Sequence, residues 1–327
     1  MDKENIFDLI SIGSGAAGLS AAVYAGRYRM RVLVFGADFG GYTSIAGPIE
    51  NYPGYKEIDG FDLMLKMKEQ AEALGTTIKD EKVVRVERQD GCFVVTTEKG
   101  DAYSAGTILF ATGSEHRKLG LPNETELTSR GVHYCATCDG PAYAGKTVAM
   151  VGGGDGSVKG ANLTAEYAAK IYIIVRGQEV RAEPINYEEM KKLIDAGKIE
   201  LIMENEVAQI VGTNKLEKIV LKKEYKGSTD LIIDGLFIEI GAVPRSELAK
   251  GLGVALDERG HIIATPMMVT NVPGVFAAGD ITPLFGGFKQ DITAAAMGAV
   301  AATSAYQYYK TNGNLCQTHW KVSGEKT

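Results

Sequence analysis

A strand, a glycine-rich turn and a helix follow one another twice in this chain, and no other feature restricts its fold so tightly. Ile6-Phe-Asp-Leu-Ile-Ser-Ile12 reads as a buried strand, Gly13-Ser14-Gly15-Ala16-Ala17-Gly18 as the turn, the run to about Arg27 as a helix, and Arg31-Val-Leu-Val-Phe35 as the next strand. Thr147-Val-Ala-Met-Val151, Gly152-Gly-Gly154-Asp155-Gly156-Ser157, Val158–Ala169 and Ile171-Tyr-Ile-Ile-Val175 repeat that order. A lone GxGxxG is weak, because a glycine-rich structural turn produces it too. Here it sits between a strand and a helix, where the glycines let the backbone approach a pyrophosphate and the helix offers it free N–H groups. Short strands follow each unit: Val83–Val86, Cys92–Thr97 and Ala102–Ser104 after the first, and Glu206–Gly212, Leu216–Glu224 and Thr229–Ile233 after the second. The chain is therefore α/β and built from two similar halves, an internal duplication of architecture.

Length agrees with two domains, since 327 residues exceed one ordinary core. A content of 45% hydrophobic and 23% charged residues reads as globular, and a net charge of -6 without any basic run argues against a nucleic-acid partner. The N-terminus, Met1-Asp-Lys-Glu-Asn5, is charged and unlike a signal peptide, and no apolar run reaches membrane-spanning length. Four cysteines do not make a disulfide scaffold, so a reducing, cytoplasmic setting is expected.

Cys135-Ala-Thr-Cys138-Asp139-Gly140 lies between the two fingerprints. A CxxC pair is half of many zinc sites and also a redox dithiol. No second CxxC or histidine pair completes a four-ligand zinc set, so no metal is expected. A dithiol beside two dinucleotide sites suggests electrons passing from one nucleotide cofactor through another to a disulfide. Asp139 is the candidate acid/base, and His133 a lesser one whose bland reading is a hydrogen-bonded strand residue.

Taken together, these motifs resemble the low-molecular-weight, FAD-dependent thioredoxin reductases. Also carrying the resemblance are Glu50-Asn51-Tyr-Pro-Gly54, Ala111-Thr112-Gly113, Pro273-Gly-Val-Phe-Ala-Ala-Gly279-Asp280 and Phe288-Lys289-Gln290-Asp291-Ile-Thr293. It spans residues 6 to about 310, and the Cys-Ala-Thr-Cys-Asp-Gly element is its most specific part. The resemblance implies an α/β fold of two Rossmann-like, three-layer ββα domains: a discontinuous FAD domain, residues 1–116 and 245–327, and an inserted nicotinamide-nucleotide domain, residues 117–244, carrying the CxxC. It implies an FAD site of Gly13, Ser14, Gly15, Ala16, Ala17, Gly18, Gly41, Tyr42, Asn51, Val84, Ala111, Thr112, Gly113, Gly279, Asp280, Lys289, Gln290 and Asp291. The NADPH or NADH site would draw on Gly152, Gly154, Asp155, Ser157, Arg176 and Arg181. By the same resemblance Cys138 faces the flavin and Cys135 attacks the partner, thioredoxin or a thioredoxin-like protein. The resemblance further implies that the inserted domain rotates on hinges near Ser114–Arg117 and Val243–Arg245, and that the protein works as a homodimer.

Several positions depart from the family's pattern. The acid that should bind the ribose is missing at the end of the second strand, where Gly36 stands and Asp38 is the nearest carboxylate. Val175-Arg176-Gly177-Gln-Glu179-Val-Arg181 lacks the middle arginine that grips a 2′-phosphate. Losing one charge-assisted contact costs about 1.5–3 kcal/mol, enough to weaken NADPH visibly. Gly160 weakens the second fingerprint helix, Lys159 reverses a usual charge, and Tyr42 either stacks on the flavin or packs as an ordinary loop tyrosine. These changes leave ferredoxin or a deazaflavin as alternative donors. A non-catalytic FAD-binding redox sensor is a further alternative, and a ferredoxin–nicotinamide reductase is disfavoured because such relatives lack the CxxC. Cys92 is expected to be structural, and Cys316 with Trp320 to belong to a polar, loosely ordered tail from about Thr311, with a redox relay the lesser reading.

Overall fold

The computed structural model describes residues 5–313 and residue 316. The chain divides into two compact units, residues 1–115 with 244–327 and residues 116–243. Short strands at Ser114–His116 and Ala242–Pro244, paired with each other, carry the chain across.

The sheet of the first unit runs Thr77–Lys79, Val32–Phe35, Ile6–Ile12, Ala102–Phe110, Cys92–Thr97, Val83–Gln89, with Val275–Ala277 also on Ala102–Phe110. That nine-residue strand is continuous where the sequence suggests a break at Ala105-Gly106. The reason is its double duty. Along one edge it pairs parallel with Ile6–Ile12; along the other its first half pairs antiparallel with Cys92–Thr97 and its second half parallel with Val275–Ala277. Apolar side chains cover both faces of the sheet in two separate clusters, as a parallel sheet between layers requires. The helix Ala16–Arg27 packs against the long C-terminal helix Asp291–Asn312, and the approach is backbone-close: a Cβ on Gly298 would lie 2.0 Å from the Ala17 carbonyl oxygen.

The second unit repeats the recipe. Val132–His133, Gly235–Ile238, Thr147–Val151, Lys170–Ile174 and Ile199–Ile202 form an all-parallel sheet in that order. Val207–Gly212, Leu216–Tyr225 and Ser228–Ile232 add an antiparallel layer. Its fingerprint helix is Asp155–Thr164, earlier at both ends than the apolar pattern suggests, because Gly154 already serves as its N-cap. No helix among the described residues is long and apolar enough to cross a membrane.

Both cysteines outside the CxxC take a role the sequence did not reveal. Cys92 and Cys316 form a disulfide across 224 residues and share a small buried cluster with Ile6. In the chain-entropy model a loop of that length is worth at most about 5 kcal/mol. Cys316 is thus tied to the edge of a strand rather than lying in a loose tail, and the helix before it continues to Asn312. Trp320 lies outside the described residues.

Candidate functional site

The first fingerprint builds an anion cradle from backbone alone. Gly13 has φ +117°, and a Cβ there would lie 2.1 Å from the carbonyl oxygen of Ala111; one on Gly18 would lie 1.9 Å from that of Gly13. These two glycines are demanded by the chain itself. Gly15 is not: its φ is -78°, and a Cβ would make only an ordinary 3.7 Å contact with Gly40. Gly15 caps the helix Ala16–Arg27, which has no side-chain cap and no acid in its first turn. The buried Ser14 hydroxyl, beside Gly36, has no hydrogen-bond partner among the described residues. An uncapped helix start, a glycine without an internal reason and an orphaned hydroxyl fit the pyrophosphate and ribose of FAD.

Other segments of the first unit carry the remaining predicted FAD residues. Gly279 abuts Ala17, with 3.1 Å from its Cβ position to the alanine methyl. Asn51 Nδ2 donates to Gln290 Oε1 at 2.9 Å, and the Thr43 hydroxyl, next to Tyr42, donates to Asp291. Tyr42 caps the 3-10 turn Thr43–Ile45 and is half-buried; a Cβ on Gly41 would meet nothing within 4 Å. The Thr112 hydroxyl donates to the Arg245 carbonyl at 2.7 Å, and Gly113 adopts φ +62°. Lys289 Nζ lies 3.2 Å from His261 Nε2, and His261 Nδ1 lies 3.2 Å from Asp257. Burial raises the Asp280 carboxyl above its ordinary range, with Lys289 opposing and Asp291 reinforcing the shift. Val84 stands half-exposed near the start of the edge strand Val83–Gln89. Asp38, the carboxylate nearest the end of the second strand, is exposed and pairs with Arg245 at 3.1 Å.

The second fingerprint is a mixed fit for a dinucleotide. Gly152 has φ +141° and faces the carbonyl oxygen of Glu239. The Ser157 hydroxyl donates to the Gly152 carbonyl at 2.9 Å, and the Arg181 amide donates to that of Gly153 at 2.7 Å. Gly154, like Gly15, has no internal reason to be glycine, because nothing lies within 4 Å of its Cβ position. Arg176 and Arg181 are exposed, and neither forms an ion pair among the described residues. Against this stand two acids. Asp155 occupies the first helical turn, accepting from the Glu183 amide and Asn186 Nδ2. The Glu239 carboxylate lies 3.7 Å from the Cβ position of Gly156, with no cation or hydrogen-bond donor on it among the described residues.

Burial alone pushes the Glu239 carboxyl up to about 7. The folded chain keeps this proton where an unfolded chain, with a value near 4.5, has released it. Stability from this group is therefore full below pH 4.5 and falls as pH rises through about 7, by up to about 3 kcal/mol before solvent screening. Urea unfolding of the wild type at pH 5 and pH 8 should show that fall, and Glu239→Gln should remove most of it; an equal fall in both proteins would contradict this assignment.

The CxxC is closed. Cys135, the N-cap of the short helix Ala136–Asp139, forms a disulfide with Cys138 inside it, their Cα atoms 5.3 Å apart. Cys138 is exposed and Cys135 half-buried. The Cys138 amide donates to Cys135 Sγ at 3.1 Å, which favours charge on that sulfur once the bond opens. Asp139 and His133 meet, Oδ2 to Nδ1 at 3.1 Å, so the two acid/base candidates are one unit. Among the described residues no cluster of His, Cys, Asp and Glu could hold a metal ion.

Two supports for this helix escaped the sequence reading. Gly160 lets it sit close to the fingerprint helix: a Cβ there would lie 2.9 Å from the Ala136 methyl. The weakness Gly160 brings to its own helix is thus the condition for packing the redox motif on it. Glu124 is buried and accepts from the amides of Leu119, Gly120 and Leu121 and from the Tyr134 hydroxyl, fixing the loop that leads to Cys135. Burial first, and Glu124 second, raise the Tyr134 hydroxyl above its ordinary value. No pattern around Glu124 in the sequence signals this.

Two dinucleotide-type cradles and a redox dithiol on one chain define a flavin- and nucleotide-linked disulfide oxidoreductase, and the chain belongs to the pyridine nucleotide-disulphide oxidoreductase family, whose model matches residues 7–302. Within that family its relatives are more specific. It is 38% identical to a thioredoxin reductase of Peptoclostridium acidaminophilum over 94% of this chain and 99% of that one. The crystal structure of Lactococcus lactis thioredoxin reductase superposes with a TM-score of 0.86 at 35% identity, covering 93% of this chain and 99% of that one. A ferredoxin-flavin thioredoxin reductase from Clostridium acetobutylicum is 34% identical, with a TM-score of 0.51 over 94% of this chain and 99% of that one.

Proposed function

We propose that the protein is a low-molecular-weight thioredoxin reductase: it passes electrons from a reduced donor through FAD to the Cys135–Cys138 disulfide and on to thioredoxin or a thioredoxin-like protein. The observation that carries this reading is the closed disulfide with Asp139 adjoining it, on a unit that also bears a dinucleotide fingerprint. Residues 1–116 and 245–327 form the FAD domain and residues 117–244 the nicotinamide-nucleotide domain, working as a cytoplasmic homodimer. Bound FAD supplies a two-electron carrier between donor and disulfide. Gly13, Gly15 and Gly18 would hold its pyrophosphate, Asp280 would meet its ribityl chain, and Asn51, Lys289, Gln290 and Asp291 would lie by its ring. Cys135, whose sulfur already accepts an amide hydrogen bond, is the thiolate that attacks the partner. Cys138 resolves the mixed disulfide, and Asp139 moves the proton. Steady-state reduction of thioredoxin under anaerobic conditions, with NADPH and NADH in parallel, tests the reading. Turnover with either supports it and names the preferred nucleotide; no thioredoxin reduction with any reduced donor sinks it.

A second reading of the donor has its own support. Asp155 places negative charge in the first helical turn where a pyrophosphate would bind, Glu239 adds a buried carboxyl beside Gly156 whose ionisation there is opposed by burial, and Gly177 removes one grip on a 2′-phosphate. Reduced ferredoxin is therefore the third arm of the same experiment, as the name of the Clostridium acetobutylicum neighbour suggests.

A further inference from the structure

His133 is 7% exposed, in the strand pair Val132–His133. Its ring stacks on Phe237 at 5.2 Å between centroids and meets Tyr143 edge-on at 5.4 Å. Both ring nitrogens are engaged, Nδ1 with Asp139 Oδ2 at 3.1 Å and Nε2 with the Tyr143 hydroxyl at 2.6 Å. A carboxylate only accepts, so Nδ1 carries the hydrogen; a neutral ring then leaves Nε2 to accept from the tyrosine. The ring is neutral because burial lowers its proton affinity more than Asp139 raises it. Tyr143 remains a donor, its hydroxyl pushed up to about 12 by burial, with Asp139 and Asp234 adding to the shift. Asp139 itself is 37% exposed on its side chain, and among the described residues no other side chain bonds its carboxylate.

We propose that His133 is a positioning residue of the redox centre: its Nδ1–H holds the Asp139 carboxyl in one orientation beside the Cys135–Cys138 pair, and Tyr143 locks the tautomer that makes this possible. The proposal rests on the acid/base reading of Asp139 given above. Opening the S–S bond consumes two electrons from the reduced donor and two protons, and yields two thiols. The Asp139 carboxylate takes up one of those protons from solvent at its exposed edge and passes it to the departing sulfur, and the second proton comes to the other sulfur directly from solvent. Without His133 a carboxyl this exposed would sample several rotamers, and the proton would be misplaced in most of them.

The test compares holoenzyme variants in donor-driven thioredoxin reduction, with FAD content and circular dichroism checked for each. Asp139→Asn is expected to lower kcat by about 100-fold, the usual scale for a general acid/base. His133→Leu should lower kcat at least tenfold and leave KM for thioredoxin unchanged. His133→Asn places an N–H donor close to the Nδ1 position and should recover kcat to within about threefold of the wild type. Added to Asp139→Asn, His133→Leu should cost little more, because it acts through that residue. Tyr143→Phe keeps the aromatic packing and should lower kcat by about threefold, which also serves if His133→Leu does not fold. Wild-type kcat in His133→Leu or, failing that, in Tyr143→Phe overturns the proposal, as does a full multiplicative loss in the double variant. Wild-type kcat in Asp139→Asn overturns the acid/base reading beneath it and the proposal with it.

Discussion

Cys138→Ser is expected to abolish thioredoxin reduction, by at least about 10³-fold, and at the same time to trap thioredoxin covalently on Cys135. In the described geometry the two sulfurs are not equivalent. Cys135 Sγ receives the Cys138 amide at 3.1 Å, so a thiolate there is stabilised and poised to attack an oxidised partner. That attack forms a Cys135–partner disulfide and releases one partner thiolate. In the wild type Cys138 then attacks Cys135, restores the internal disulfide and frees the dithiol partner. With serine at 138 the second step cannot occur. Cys135→Ser should be equally inactive and trap nothing under the same conditions. Non-reducing electrophoresis of each variant with oxidised thioredoxin separates these outcomes. A covalent adduct with Cys135→Ser and none with Cys138→Ser would reverse the assigned roles.

Gly15→Ala carries the second large effect, and the contrast with Gly13 is what gives it force. Alanine at Gly13 strains the protein itself, since the residue sits at φ +117° and its methyl would meet a backbone oxygen at 2.1 Å. Alanine at Gly15 strains nothing internal: φ is -78° and the nearest atom is 3.7 Å away. If that space is kept open for the FAD pyrophosphate, Gly15→Ala should lower FAD affinity by at least tenfold, about 1.4 kcal/mol, and yield protein largely without flavin. The stability of the apoprotein should change by no more than about 1 kcal/mol, the scale of a glycine-to-alanine change at an N-cap. Unaltered FAD content in Gly15→Ala would mean that the fingerprint does not approach the phosphates. Gly13→Ala, by comparison, should lower apoprotein stability directly.

Much of this arrangement is legible in the chain because its strongest signals are local. Both fingerprints place strand, turn and helix within about thirty residues of one another, and the CxxC needs only three residues to declare itself. What the sequence hides is pairing at long range. Nothing in Asp90-Gly91-Cys92 or Leu315-Cys316 announces a disulfide spanning 224 residues, because loop length and burial decide it and neither is visible locally. His133 reads from sequence as a strand histidine, and so it is; its partners, ten residues away at Tyr143 and on the next helix at Asp139, meet it only after folding. Gly160 reads as a weak point in a helix until Ala136 is seen packed against it. Glu239, half-buried with no cation opposite, follows an apolar run where any carboxylate would look solvent-facing.

The central claim is that FAD delivers electrons to Cys135–Cys138 and not to another acceptor. Anaerobic reduction with a single equivalent of reductant beyond that taken up by the flavin, followed by alkylation and peptide mass analysis, tests it directly in holoprotein and FAD-free protein. The account predicts that Cys135 and Cys138 become alkylated in the holoprotein, remain disulfide-bonded in the FAD-free protein, and that Cys92 and Cys316 stay protected in both. A reduced flavin with Cys135 and Cys138 still joined would contradict it.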